Sequence, residues 1–268
     1  MQIEVKNINY TYSEGMPFAT KAVSDVSFVV PHGDFAAIIG HTGSGKTTLV
    51  QLLAGLLKPS SGEVFADFKK VGIVFQYPEY QLFEENVLKD VCFGPKNLGL
   101  SEEECIKRAK YALKLVGLDS EEKGNQSPFN LSGGEKRRVA IAGVLAMRPE
   151  VLILDEPAAG LDPKGHNEIL EMISRIRREY QMTTIIVSHN MDDVASLASH
   201  VLVIDKGRLV MDASPKEVFS REKELKDMGL GLPSCTEFLH RLKEKGMDVP
   251  CDAINFDETA SVILDYLK

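Results

Sequence analysis

The chain has 268 residues with 44% hydrophobic and 26% charged side chains and a formal net charge of −8, which suits one large globular domain or a core with a small appendage. Such an acidic balance gives no general electrostatic case for binding nucleic acid, although Lys136-Arg137-Arg138 is a candidate local basic patch. No apolar run approaches the ~20 residues of a membrane helix, Met1-Gln2-Ile3-Glu4-Val5 lacks the pattern of a secretory signal, and Cys92, Cys105, Cys235 and Cys251 form no CxxC pair or zinc spacing, so a reducing compartment is expected and any membrane link must come through a partner.

Ile3, Val5 and Ile8, then Val26, Phe28 and Val30, predict antiparallel strands about the turn-rich Ser13–Pro17. Asp34–Gly40 is a continuous apolar run ending in glycine, as in a strand buried on both faces. Lys46–Gly55 reads as a helix and Gly72–Gln76 as a short strand. From Asn86 to Met147 the pattern is helical: Ser101-Glu102-Glu103-Glu104 reads as a capping box, and Ser132–Ala146 as a later helix opened by serine and two glycines. Strand and helix then alternate through Val151–Asp155, Lys164–Tyr180, Thr183–Ser188 and Met191–Ser199. Val201–Asp205 and Leu209–Asp212 form a predicted hairpin about Lys206-Gly207. Beyond Arg221 come short helices, Cys235–Lys245 and Glu258–Leu267, with apolar faces from Phe238, Leu239 and Leu242, then Val262, Ile263 and Leu267.

Chemistry enters at Gly40-His41-Thr42-Gly43-Ser44-Gly45-Lys46-Thr47-Thr48, which fits the phosphate-loop pattern GxxxxGK[ST] between an apolar strand and a helix. Glycines let several backbone N–H groups turn inward on phosphate, and the helix adds its positive N-terminal end. Lys46 is the cation for β- and γ-phosphates, Thr47 the hydroxyl for Mg²⁺, and Thr48 a further phosphate contact. Val151–Asp155 would deliver Asp155 to Mg²⁺ at a strand's carboxyl end, with Glu156 next to it to polarise an attacking water. His189, after another core strand, is a candidate for contacting the γ-phosphate or holding the water with Glu156. Gln76 offers a neutral amide to Mg²⁺ or water.

Leu131-Ser132-Gly133-Gly134-Glu135 resembles the LSGGQ signature of the ABC ATPases, with Glu135 where that family has glutamine. The order of phosphate loop, signature, Asp155-Glu156, Ala159-Gly160-Leu161-Asp162 and His189 is similar to that family throughout. Val74–Phe83, Phe93–Leu100, Pro128–Gly134, Arg137–Gly143 and the tail residues Leu230-Gly231-Leu232-Pro233 and Thr236 resemble one subgroup, the ATPases of energy-coupling factor transporters and of related cobalt and nickel importers. The resemblance implies an α/β, RecA-like P-loop core with an antiparallel β subdomain and a helical insertion. It divides the chain into an ATPase domain at 1–221, with the insertion at about 86–147, and a C-terminal helical dimerisation appendage at 222–268. It implies ATP and Mg²⁺, adenine stacked on Tyr12, and Leu131–Glu135 facing a γ-phosphate held by another ATPase subunit, identical or paralogous. Gln76–Phe83 would receive a helix of a membrane scaffold subunit, beside a substrate-binding membrane subunit, at the cytoplasmic face. The implied function is ATP-driven import of vitamins or transition-metal ions; the alternative is the ATPase of a conventional ABC solute importer. A non-transport ABC ATPase fits less well, because neither a coiled-coil insertion nor a second ATPase domain is read in the sequence and the chain is acidic, and a P-loop kinase fits less well because the signature Leu131–Glu135 argues against it. Ala158 stands where threonine is common, and Gly62–Val71 is short for its region.

Overall fold

The computed structural model describes residues Gln2–Leu267. The chain forms two compact units. One comprises Ala66–Thr184 with Pro31–Gly33 and Gln2; the other comprises Ile3–Val30, Asp34–Phe65 and the chain from Ile185 onward.

The second of these begins with β1 (Ile3–Tyr12) and β2 (Thr20–Val30), paired antiparallel with Ile3 opposite Val30, Val5 opposite Phe28 and Ile8 opposite Val26. These are the alternating residues that predict the pairing, and all six are buried. Register shifts occur where Asn7 and Asp25 take left-handed backbone (φ 47° and 54°), and the Asn7 side chain donates to Asp25 across the bulge at 3.0 Å. β3 (Phe35–Ile39) is buried at every position, and α1 (Lys46–Leu53) follows the glycine-rich loop. β4 (Ser61–Phe65) completes a three-stranded sheet in the order β2-β1-β4. The short Gly62–Val71 segment thus still supplies a full edge strand.

In the other unit, β5 (Val71–Val74) precedes α2 (Val87–Asn97), α3 (Glu102–Leu115), α4 (Ser120–Lys123) and α5 (Gly133–Ala146). Then come β6 (Val151–Asp155) and α6 (Pro163–Tyr180). α5 packs against α2, α3 and β5 and buries Val139, Ile141, Ala142 and Leu145. The expected Ser101 capping box is only half made. Ser101 accepts from the Glu104 amide, but the Glu104 carboxylate turns forward along α3 to Arg108 at 2.8 Å, where an i,i+4 ion pair outcompetes the return bond. β5 stops at Val74, two residues short of the expected end at Gln76. The chain leaves the strand there and reaches Tyr77, which takes φ 55° ahead of a 3₁₀ turn at Pro78–Gln81.

The unit boundary falls within β7 (Thr183–Val187). After it come α7 (Met191–Leu197), β8 (His200–Asp205) and β9 (Arg208–Ala213). β8 runs parallel to β3, with Ile39 beside Val203, and forms the expected hairpin with β9. Lys206 and Gly207 at its turn both have positive φ, 47° and 77°, as a two-residue hairpin turn of right-handed strands demands. The tail holds α8 (Pro215–Phe219), α9 (Glu222–Asp227), α10 (Ser234–Glu244) and α11 (Phe256–Tyr266). Leu239, Val249 and Ala253 form its small core with Leu242, Val262 and Ile263 against them. Phe238 and Leu267, expected on those apolar faces, stay exposed. Among the described residues no helix is long and apolar enough to cross a membrane.

Candidate functional site

The phosphate loop is shaped by its backbone. Gly45, at the N-terminus of α1, has φ 104°, and a Cβ there would lie 2.4 Å from the Ala22 carbonyl. A Cβ on Gly40 would lie 2.2 Å from the Ile204 carbonyl. The loop is pinned by the β8–β9 turn: the Gly207 amide donates to the Ser44 carbonyl, and Ser24 donates to Gly207, both at 2.8 Å. Lys46, almost fully buried, curls back so that Nζ donates to the Gly40 carbonyl at 2.7 Å and the His41 carbonyl at 2.9 Å. His41 places Nε2 3.2 Å from the Asp205 carboxylate and Nδ1 2.6 Å from the Thr42 carbonyl.

These residues fit a polyphosphate on independent grounds. No side chain caps the N-terminus of α1, so its first-turn amides face outward as donors. The Ser44 hydroxyl is buried and has no hydrogen-bond partner among the described residues, which is unusual for a buried polar atom. Thr47 is exposed at the helix start. Tyr12 ends β1 and its hydroxyl lies 3.1 Å from the Thr48 hydroxyl, with its ring edge-on to Tyr10 and 41% exposed. The loop's shape gives a direct expectation. A left-handed non-glycine residue costs about 1–3 kcal/mol, and every 1.4 kcal/mol is tenfold in affinity. Gly45→Ala is therefore expected to weaken ATP binding about five- to 100-fold, read by titration with a fluorescent ATP analogue; parental affinity would show that the loop's shape is immaterial.

In the other unit, a second set of candidate residues is placed by a strand register. β5 and β6 run parallel with Val74 beside Leu154. Two residues beyond that pair, past the ends of the strands, stand Gln76 and Glu156, and the Gln76 amide donates to the Glu156 carboxylate at 3.1 Å. Asp155 is buried at the end of β6, while Glu156 has left-handed backbone, φ 49°. That is an uncommon, strained conformation for a non-glycine residue, of the kind that clusters at functional sites. β7 likewise ends earlier than expected, at Val187, so His189 follows it by two residues. His189 is exposed, directly before Asn190, which caps α7.

The signature segment sits at the start of α5. Leu131 is buried beneath it, and Ser132 and Gly133 are exposed. Ser132 caps the helix with a complete capping box, in which Glu135 returns a carboxylate oxygen to the Ser132 amide at 2.9 Å and to its hydroxyl at 2.8 Å. Lys123 pairs with the other Glu135 oxygen at 3.0 Å. The Ser132 amide first, then Lys123 and the Ser132 hydroxyl, hold the Glu135 carboxyl down to about 2. A Cβ on Gly133 or Gly134 would meet nothing within 4 Å.

The expected basic patch at Lys136-Arg137-Arg138 does not form. Arg137 is 2% exposed, bound to Glu79 and to the carbonyls of Pro157 and Ala159, and Arg138 is bound to the Val116 carbonyl and Glu168. Sequence reasoning missed Arg137 as the link among three segments around Glu156, and Asp205 as the partner of His41. The available signal for Arg137 was its helical spacing with the buried Ile141 and Leu145.

Comparison with known proteins shows which family the chain belongs to. A family model described as "ABC transporter" matches residues 23–159. The protein named energy-coupling factor transporter ATP-binding protein EcfA2 in Clostridioides difficile (strain 630) is 52% identical over 283 residues, covering 100% of this chain and 98% of that protein. The protein of the same name in Caldanaerobacter subterraneus subsp. tengcongensis is 49% identical over 282 residues, again covering 100% and 98%. Among solved structures, cbiO1 from Clostridium perfringens, described as part of the ABC transporter complex cbiONQ, is similar with TM-score 0.73 and 40% identity over 84% of this chain and 93% of that one. The dimeric ATP-binding cassette MJ0796 in a post-hydrolysis state bound to ADP and Pi is similar with TM-score 0.70 and 29% identity, over 80% and 98%. The α/β fold is accordingly that of a RecA-like ATP-binding cassette. With relatives this similar along its whole length, the chain belongs to the ABC transporter family, among the ATP-binding proteins of energy-coupling factor transporters.

Proposed function

We propose that this chain hydrolyses ATP to drive an energy-coupling factor importer from the cytoplasmic face of the membrane. The observation that carries the hydrolytic part is the β5–β6 register, which sets the Gln76 amide on the Glu156 carboxylate. Lys46, the α1 amides and the Ser44 hydroxyl hold the phosphates, with Gly40, His41, Thr42, Gly43, Gly45 and Thr48 completing the loop and Tyr12 stacking on adenine. Glu156 takes the proton of the attacking water, Gln76 holds that carboxylate in orientation, and His189 contacts the γ-phosphate. Thr47, Asp155 and Gln76 would hold Mg²⁺, which when bound neutralises charge on the phosphates.

Two ATP-binding subunits, identical or paralogous, would pair so that Leu131–Glu135 of one faces the γ-phosphate of the other. The open space over Gly133 and Gly134 supports this, because the chain's own packing does not require glycine there. In the tail, assigned to 222–268, Phe256, Leu264 and Leu267 are exposed apolar residues suited to pairing. Tyr77, Tyr80, Phe83 and Phe93 form an exposed aromatic surface suited to a helix of a membrane scaffold subunit. Leu82 is buried and belongs to the core instead. Solute choice, among vitamins or cobalt and nickel ions, lies with a membrane subunit.

The full chain purified from its native membrane is expected to bring a second ATP-binding subunit and integral membrane subunits with it. Identification of the co-purifying proteins by mass spectrometry tests this. Recovery with nucleic acid and no membrane subunit would overturn the transport assignment.

A further inference from the structure

Glu135 poses a problem for an anion site. Its carboxylate occupies both donors of Ser132, the amide and the hydroxyl, and these are the groups a phosphate would use. A negative charge at that place repels the ligand it adjoins. The structure supplies a compensating charge: Lys123 Nζ lies 3.0 Å from the Glu135 oxygen Oε1, while Ser132 uses Oε2. Lys123 is held in place from its own side. Asp119 caps α4, the Leu88 amide donates to the Gly124 carbonyl at 2.9 Å and the Val87 amide to the Gln126 carbonyl at 3.0 Å. Lys123 also lies 3.4 Å from Glu122, and it is 23% exposed at the side chain, so it is partly withdrawn from water.

We propose that Lys123 is a positioning residue of the signature segment: it neutralises Glu135 and gives its carboxylate a second place to rest, so that the Ser132 amide and hydroxyl pass to a phosphate of the facing subunit. This rests on the assignment of Leu131–Glu135 as a phosphate site used in trans. When the phosphate arrives, the two Ser132 hydrogen bonds exchange from Glu135 to phosphoryl oxygens. The Glu135 carboxylate is left with Lys123, its nearer carboxylate partner at 3.0 Å against 3.4 Å for Glu122. Without Lys123, Glu135 keeps the Ser132 donors and opposes the incoming charge.

The test uses the full chain in its membrane assembly and measures Mg-ATP hydrolysis against ATP concentration. Lys123→Ala is expected to lower kcat/KM about tenfold, the scale of one charge-assisted hydrogen bond, mostly through a higher KM. Lys123→Arg keeps the charge and should retain at least half of the parental value. In a Glu135→Gln background, Lys123→Ala should cost less than twofold, because no charge remains to neutralise. Parental kinetics in Lys123→Ala, or an equal loss in both backgrounds, would overturn the proposal; an equal loss would mark Lys123 as a structural support alone. Glu156→Gln in the same assembly separates the two levels of the argument. Normal turnover there defeats the hydrolytic assignment, whereas a dead Glu156→Gln with a silent Lys123→Ala defeats only this inference.

Discussion

Glu156→Gln is expected to bind ATP and to hydrolyse it at least about 100-fold more slowly than the parent, the usual scale of a lost general base. The substitution is close to isosteric, and the geometry predicts that it leaves the local structure standing. Gln76 donates to the Glu156 carboxylate at 3.1 Å, and a glutamine carbonyl at position 156 accepts the same bond. The left-handed backbone at Glu156 is set by the turn after β6 rather than by side-chain charge. What disappears is the proposed proton acceptor. ATP affinity should hold or rise, because under the proposed assignment the substitution also removes a negative charge facing the γ-phosphate. Single-turnover phosphate release and equilibrium nucleotide binding, measured on one preparation, separate the effects. A variant that binds ATP and turns over within twofold of the parent would remove Glu156 from the mechanism. A variant that neither binds nor hydrolyses would point instead to a local structural role.

The parts of this candidate site that were legible in the sequence are those whose chemistry is local. The phosphate loop announces itself because its glycines, Lys46 and Thr47 act through backbone conformation and helix start within nine consecutive residues. The strand that ends in Asp155 is legible because the four apolar residues Val151–Leu154 in a row leave little alternative to a strand buried on both faces. The pairing of β1 with β2 follows from alternation alone. Long-range polar partners were not legible. Gln76 was placed at a strand end, yet it lies beyond β5, and its bond to Glu156 depends on a register eighty residues apart in sequence. The capping boxes show the same limit at short range. Ser101–Glu104 and Ser132–Glu135 have identical spacing, but only the second closes, because Arg108 stands one turn after Glu104. The pairing of Glu135 with Lys123 likewise gives an apparent extra charge a cationic partner, something no reading of position 135 by itself would supply.

Arg137→Met is expected to destabilise the unit that contains it by about 3–5 kcal/mol, the cost of removing one partner from a buried ion pair. The run Lys136-Arg137-Arg138 looks like a surface patch, but Arg137 lies on the face of α5 that also buries Ile141 and Leu145. Its guanidinium spreads over three segments. Nη2 reaches the Glu79 carboxylate at 3.2 and 3.3 Å, Nε reaches it at 3.4 Å, and Nη1 donates to the Pro157 and Ala159 carbonyls at 3.1 and 2.7 Å. Methionine fills a similar volume, so the loss is polar rather than steric: Glu79 and two inward carbonyls lose donors that water cannot fully replace. Arg137→Lys should not recover the loss, since one ammonium cannot span a carboxylate and two carbonyls in the planar fork that guanidinium provides. Because the bridge joins the segment after Gln76, the signature helix and the loop after Glu156, its removal should also lower ATP turnover before the protein unfolds. Urea midpoints for Arg137→Met and Arg137→Lys, set beside hydrolysis at low denaturant, test both statements. A loss below about 1 kcal/mol, the range of an exposed ion pair, would show that this guanidinium is a surface charge after all and that the three segments are held by apolar packing alone.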